Sequence, residues 1–294
     1  MNSLVIGGSP IGDGHPALIF SELGINCNGD IDIAKGLVDV SVECRVNATK
    51  TQKRSVDIVY SAEELARPRE SPFGSTNGDL KRGLEFSKEE YDEFDSYCKS
   101  RNMTWLSSCW DEASVDFIAQ YDPPAFKIAS ACITDDNLLK HHLQYHKPLI
   151  ISTGMTTLRQ VDHALEIVGT DNVVLLHCVA NYPADPKCLN LRVIQTLKER
   201  YNTPVGYSGH EVGLATTVAA VAMGANLVER HICLDRSAWG SDMAASVEPQ
   251  GLRKLVQSIR SVESAMGDGV KRIHPDEVAI SKKLRRVDTA KLEG

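Results

Sequence analysis

Two short segments place a histidine two residues after another polar side chain: Ser208 with His210 in GYSGH, and Glu229 with His231 in ANLVERH. If each segment is a β-strand, residues two apart share a face, so all four side chains can converge on one pocket. Neutral imidazoles on adjacent strand ends suit a divalent ion such as Mn, Fe, Co or Zn. A lone histidine would more often be a hydrogen-bonded structural residue, and only the shared context of these two favours the metal reading. Lys50 and Gln52 alternate in the same way in VNATKTQ, while Lys127, within AFKIAS, ends the fourth strand just before the turn that carries Ser130. Two ammonium groups beside hydroxyls form a binding site for a small phosphate or carboxylate dianion, which points to a phosphorylated acid. The competing view of Lys50 and Lys127 as solvated surface lysines conflicts with their strand settings, where a lysine needs an anionic partner such as a ligand or Glu22.

These residues need a scaffold that gathers strand ends. From residue 18 onward, short β-branched or apolar runs alternate with segments of helical period, the pattern of repeated βα units on a parallel sheet. The eight runs are ALIFSE (17–22), VNATKTQ (46–52), MTWLSS (103–108), AFKIAS (125–130), PLIIST (148–153), NVVLLHC (172–178), PVGYSGH (204–210) and ANLVERH (225–231). Eight units predict closure into a (β/α)8 TIM barrel, in which catalytic groups sit at the C-terminal strand ends. Those ends present Glu22, Lys50 with Gln52, Ser108, Lys127 with Ser130, Ser152, His177, Ser208 with His210, and Glu229 with His231. The chain reads as a single catalytic domain over 1–294. Residues 1–16 are expected to form an N-terminal β-hairpin that plugs the barrel, and 53–90, rich in Pro, Gly and charge, a long loop over the active face.

Composition narrows the function classes. With 42% apolar and 24% charged residues the chain has material for a large core, and its net charge of −7 argues against broad nucleic-acid binding. The eight cysteines lack paired zinc spacing and read as reduced thiols. The Gly- and Pro-broken start and the absence of a long apolar run lead to the expectation of a cytoplasmic protein without a membrane partner. The basic stretches at 271–275 and 282–286 read as a solvated tail face.

Taken together, FSELGINCNGD, KTQKR, FKIAS, IISTGM, LLHC followed by NYP, GYSGH, ERHICLDR and WGSDMAASVEP resemble, in order and over almost the whole chain, the motifs of the N-acetylneuraminate (sialic acid) synthase family. The resemblance implies a barrel that condenses phosphoenolpyruvate with an N-acylated mannosamine-type sugar, giving a nine-carbon 2-keto acid and phosphate. It implies that Lys50, Gln52, Lys127, Ser130, Ser152 and Ser208 hold phosphoenolpyruvate, and that His210 and His231 bind Mn2+ or Mg2+. Glu22, Tyr182, Glu229 and Asp242 would face the sugar, with Glu22 or Glu229 as the catalytic proton carrier. A homodimer is implied as well. The sequence departs from the family pattern at Cys27, where NCNG replaces NHNG, at Met243, where DMAAS replaces DHAAS, and before strand two, where CRVNATKTQ lacks the usual glycine and phenylalanine. Many members continue into a small antifreeze-like domain; the sequence to Gly294 is read as the barrel without it. Sialic, legionaminic and pseudaminic acids are candidate products. Another phosphoenolpyruvate–aldose condensing enzyme and a non-catalytic ligand-binding barrel are the alternatives.

Overall fold

The computed structural model describes residues 4–287; positions 1–3 of the expected hairpin and 288–294 of the expected domain lie outside the described residues. Eight parallel strands close into a barrel: β3 (Leu18–Glu22), β4 (Ala48–Lys53), β7 (Trp105–Cys109), β8 (Phe126–Ile128), β9 (Leu149–Ser152), β10 (Val173–Cys178), β11 (Val205–Gly209) and β12 (Leu227–His231). Each falls within or one residue beyond one of the eight sequence runs. The barrel closes through β12 on β3, where His231 pairs in register with Glu22.

Helices alternate with the strands on the outside: α1 (Ile31–Cys44), α5 (Lys88–Ser100), α6 (Glu112–Ala119), α7 (Asp136–His142), α8 (Leu158–Val168), α9 (Val193–Tyr201), α10 (Ala215–Ala222) and α11 (Pro249–Met266). Their starts follow from local chemistry. Asp30, Asp111 and Asp135 accept backbone N–H groups at the first turns of α1, α6 and α7, and Ser87 and Thr157 form capping boxes on α5 and α8.

The barrel interior changes character along its axis. At the N-terminal end, Leu18, Phe20, Ala48, Leu106, Ala125, Ile150, Val174, Leu176 and Leu227 form one buried apolar cluster. A short antiparallel hairpin, β1 (Leu4–Ile6) and β2 (Ser9–Ile11), contributes Ile6 and Ile11 to that cluster and closes this end. Two residues further along most of these strands the same face turns polar, with Glu22, Lys50, Ser108, Lys127, Ser152, Ser208 and Glu229 all buried. The apolar layer thus forms the floor on which the polar layer stands.

The stretch 53–90, expected as one long loop, is corrected to a folded excursion. Lys53 ends β4 and Lys88 begins α5; between them lie α2 (Val56–Val59), α3 (Ala62–Ala66), the hairpin β5 (Pro68–Ser71) and β6 (Gly74–Thr76), and α4 (Asn77–Gly83). Single-turn elements of this size gain stability only from tertiary packing, so periodicity could not announce them. Packing is provided by Leu80, which is buried, and by Phe73, whose ring meets Trp239 edge-on at 6.2 Å. After α11 a last helix, α12 (Pro275–Leu284), carries the basic Lys282 and Lys283 and buries none of its side chains. No helix among the described residues is long and apolar enough to cross a membrane.

Candidate active site at the C-terminal mouth of the barrel

A cavity of about 190 Å³ opens above the apolar floor, lined by Glu22, Lys50, Gln52, Ser108, Lys127, Ser130, Ser152, Tyr182, Ser208, His210, Glu229 and His231. Alternation along the parallel strands places the strand-borne groups inside the barrel, while Ser130, Tyr182 and His210 lie just past the ends of their strands. Trp110, Met155 and Ala180, from the loops above the strands, add to the wall, and of these the sequence motifs had included only Met155, at the end of IISTGM.

Lys127 is buried and uses two of its three ammonium donors inside the protein, one to Ser152 Oγ at 2.5 Å and one to the Ile128 carbonyl at 3.3 Å. Ser130 Oγ accepts the Gly154 N–H at 3.0 Å and lies 3.2 Å from Cys178 Sγ. A side chain at Gly154 would collide with both, with its Cβ 2.7 Å from Ser130 Oγ and 3.0 Å from the thiol. Lys50 forms a tight ion pair with Glu22 and lies 3.9 Å from Glu229 Oε2. Gln52 donates to Glu22 Oε1 at 3.0 Å, and Ser208 donates to Glu229 Oε1 at 2.9 Å.

The two carboxylates therefore share ammonium groups unequally. Burial pushes the Glu22 carboxyl up to about 7, against the pull of Lys50 and with Glu229's charge adding to the rise. Burial acts on Glu229 in the same direction, but Lys127, Lys50 and the Ser208 hydrogen bond overcome it and hold that carboxyl well below its ordinary value. Glu22 is the member that can carry a proton near neutrality, while Glu229 stays anionic.

His210 and His231 stand with ring centroids 5.4 Å apart, and Tyr182 packs 4.2 Å from the first and 5.5 Å from the second. Burial pulls both imidazoles down to about 4, leaving them neutral at physiological pH. His210 uses Nδ1 to reach the Val179 carbonyl at 2.7 Å, which leaves Nε2 as the available ring nitrogen, 3.4 Å from Ser208 Oγ. His231 Nδ1 is buried without a hydrogen-bond partner. Neutral rings, one with an orphaned buried nitrogen, have the chemistry of metal ligands. No group of three such ligands occurs among the described residues, so a cation here would take its remaining positions from substrate or water.

Behind the strands the same two histidines are braced. Glu211 follows His210 and Arg230 precedes His231, and these outward-facing residues form a fully buried ion pair at 3.3 Å. Arg230 also donates to Thr217 Oγ1 and to the Gly213 and Glu211 carbonyls, while Tyr207, Thr216 and Thr217 donate to the Glu211 carboxylate. Gly209 makes room for this packing, since a Cβ there would lie 2.8 Å from both Glu211 and Tyr207 and 2.9 Å from Arg230.

Two strand-end assignments need correction or refinement. His177, counted among the inward groups, faces outward and bonds the Leu189 carbonyl at 2.6 Å; its neighbour Cys178 takes the inner position. Asp242 does not line the cavity: its Oδ2 stands 3.8 Å from His231 Nδ1, beyond hydrogen-bond range, at the edge of the mouth. Of the departures noted in the sequence, Cys27 and Met243 are both buried. All eight cysteines are free thiols, and seven are buried.

Comparison with known proteins matches this arrangement to one lineage. The chain is 38% identical over 288 residues to the N-acetylneuraminate-9-phosphate synthase of Mus musculus, across 96% of this chain and 80% of that protein. It is 36% identical over 295 residues to the N,N'-diacetyllegionaminic acid synthase of Legionella pneumophila, across 97% and 83% respectively. The crystal structure of a sialic acid synthetase from Leptospira borgpetersenii in complex with citrate superposes with a TM-score of 0.83 at 28% identity, covering 97% of this chain and 98% of that one. Residues 37–271, which run from the first outer helix to beyond the last barrel strand, match the NeuB family, and the chain belongs to that family.

Proposed function

We propose that the protein is a phosphoenolpyruvate-dependent condensing transferase that makes a sialic acid or related nonulosonate from an N-acylated mannosamine-type sugar. The observation that carries this reading is the division of one cavity into an ammonium- and hydroxyl-lined half and an imidazole half, with two buried carboxyls, Glu22 and Glu229, between them. Lys127, Ser130, Ser152 and Ser208, with Lys50 and Gln52, would bind the phosphate and carboxylate of phosphoenolpyruvate. Glu22, Tyr182, Glu229 and Asp242 would face the sugar.

His210 and His231 would hold Mn2+ or Mg2+, and when bound there the ion supplies Lewis-acid polarisation of the sugar aldehyde. In the condensation, C3 of phosphoenolpyruvate forms a bond to the aldehyde carbon, whose oxygen takes up a proton. Water then adds at C2, and the tetrahedral intermediate breaks its C2–O bond to release inorganic phosphate and leave the 2-keto acid. Glu22, whose carboxyl burial pushes up to about 7, would serve as the proton carrier for the aldehyde oxygen. Anionic Glu229 favours the positive charge that develops at C2 before water adds. The same reading takes the protein as a cytoplasmic homodimer, on the strength of the family resemblance.

The test is phosphate release from phosphoenolpyruvate by purified, Mn2+-supplied protein. Release should require both an N-acyl sugar and the metal, and should fall at least about 100-fold in Lys127→Ala and His231→Ala, the scale of losing a positioned electrostatic contact. Unchanged rates in both variants would overturn the site assignment.

A further inference from the structure

Three neighbouring strands each bring one small residue to the back of the ammonium-lined half of the cavity: Ser130 just past β8, Gly154 just past β9, and Cys178 at the end of β10. Register fixes their level. Leu176 of β10 pairs with Ser152 of β9, and Cys178 pairs with Ser208 of β11, so the thiol takes a ring position between two hydroxyls of the proposed phosphoenolpyruvate site. Cys178 is buried, yet it does not line the catalytic cavity as those serines do. Ser130 does line it, with Oγ 3.2 Å from the Cys178 sulfur.

A hydroxyl has one proton to give and two lone pairs to fill. Ser130 Oγ fills one lone pair with the Gly154 N–H, at 3.0 Å. That N–H is itself held in place, because Thr153 immediately before it bonds the Leu176 carbonyl through its own N–H at 2.9 Å and through Oγ1 at 3.1 Å. The Ser130 proton and its second lone pair are left to share two directions, toward the sulfur and toward the cavity. Either atom of the Ser130–Cys178 contact can be the donor. While no anion competes, the hydroxyl is the stronger donor and the sulfur accepts. Above the second phosphate pKa of about 6, the oxygens of a phosphate and a carboxylate carry no proton, so a hydroxyl that meets them has to donate. The Ser130 proton then leaves the sulfur, and the lone pair that takes its place stays satisfied only if the thiol donates in return.

Resting on the condensing reading above, we propose that Cys178 is a positioning residue for phosphoenolpyruvate: its thiol accepts from Ser130 in the free site and donates to Ser130 Oγ in the occupied one, so the serine proton reaches the anion while Oγ stays where Gly154 holds it. Alanine can do neither; serine can do both. A thiol alone could equally be a small apolar filler, and space here is short, since a Cβ on Gly154 would lie 3.0 Å from the sulfur. A filler would not change its hydrogen bonding when the anion binds.

The S–H stretch absorbs in a region free of other protein bands and moves to lower frequency when the thiol donates a hydrogen bond. Infrared difference spectra of Mn2+-supplied protein with and without phosphoenolpyruvate, in the absence of sugar so that no condensation occurs, should show one S–H band moving down. That feature should be missing from Cys178→Ser, which assigns it, and from Ser130→Ala, which removes the acceptor. Calorimetric titration gives the matching affinities. Cys178→Ala should weaken phosphoenolpyruvate binding about three- to tenfold, the scale of one neutral hydrogen bond, and Cys178→Ser should return it to within about twofold. Added to Ser130→Ala, Cys178→Ala should weaken binding no further. An S–H spectrum unmoved in protein that binds phosphoenolpyruvate, or a Cys178→Ala loss of the same size with and without Ser130, would overturn the positioning role and leave the condensing reading standing. Absence of phosphoenolpyruvate binding by the unaltered protein would overturn the condensing reading and the positioning role together.

Discussion

Replacing Lys127 by methionine keeps the length of the buried stem and removes the charge. In the structure the ammonium is buried, spends two donors on Ser152 and Ile128, and keeps the third for whatever fills the cavity. A hydrogen bond from a charged donor contributes about 1.5–3 kcal/mol, and the remaining attraction at about 4 Å to a doubly charged phosphate adds a further fraction, for a total of about 3–4 kcal/mol. That corresponds to two to three orders of magnitude in kcat/KM for phosphoenolpyruvate, at about 1.4 kcal/mol per tenfold. The loss should be carried substantially by KM, because the contact already exists in the bound ground state. Initial rates of phosphate release, measured against phosphoenolpyruvate at saturating sugar and Mn2+, give both constants. Urea unfolding should show a folded variant, since an apolar side chain of similar length fills the space. A KM and a kcat/KM both within threefold of the unaltered protein would refute the placement of Lys127 at the anion.

Two further outcomes test parts of the fold. His142 is fully buried, bonds the Leu138 carbonyl through Nδ1, leaves Nε2 without a partner and packs edge-on against Phe126; burial pulls its pKa down to about 4. Its unfolded value near 6.5 lies above the folded one, so the unfolded chain binds the proton first. Stability is then full above about 6.5 and declines as pH falls toward 4, by up to about 3 kcal/mol; urea midpoints across that range should show the decline, and His142→Leu should flatten it. Ile11→Ala, in the hairpin under the barrel floor, should lower unfolding free energy by about 2–5 kcal/mol while phosphate release at 25 °C stays intact, because the cavity it opens lies an entire side-chain layer below the site.

The barrel was legible because eight apolar runs recur with helical segments between them, and local caps such as Asp111 and Thr157 mark where those segments start. The polar ring was legible wherever a strand mixes residue types, as in ATKTQ, where Lys50 and Gln52 fix the phase. NVVLLHC offers no such contrast. Both faces of a parallel barrel strand are buried, so an all-apolar run hides which residues point inward, and His177 was taken for the inner position that Cys178 occupies. The pairing of Lys50 with Glu22 depends on register across β3 and β4, which no single-strand pattern contains. The excursion between β4 and α5 stayed hidden for another reason: its elements are too short to have a period, and its contacts with Trp239 span more than 150 residues of sequence.

The buried Arg230–Glu211 pair separates the question of which atoms meet a ligand from the question of how far apart they are held. Both residues point away from the cavity, yet each is covalently next to one of its imidazoles, and their anchors, Thr216 and Thr217, belong to helix α10. The spacing of His210 and His231 is therefore adjustable from the outer layer. A change of size or polarity on α10 would be transmitted through the ion pair as a shift in the distance between the two rings, while every residue lining the cavity stays the same. The geometry of the imidazole half of the cavity thus has a control surface that a survey of pocket residues would miss.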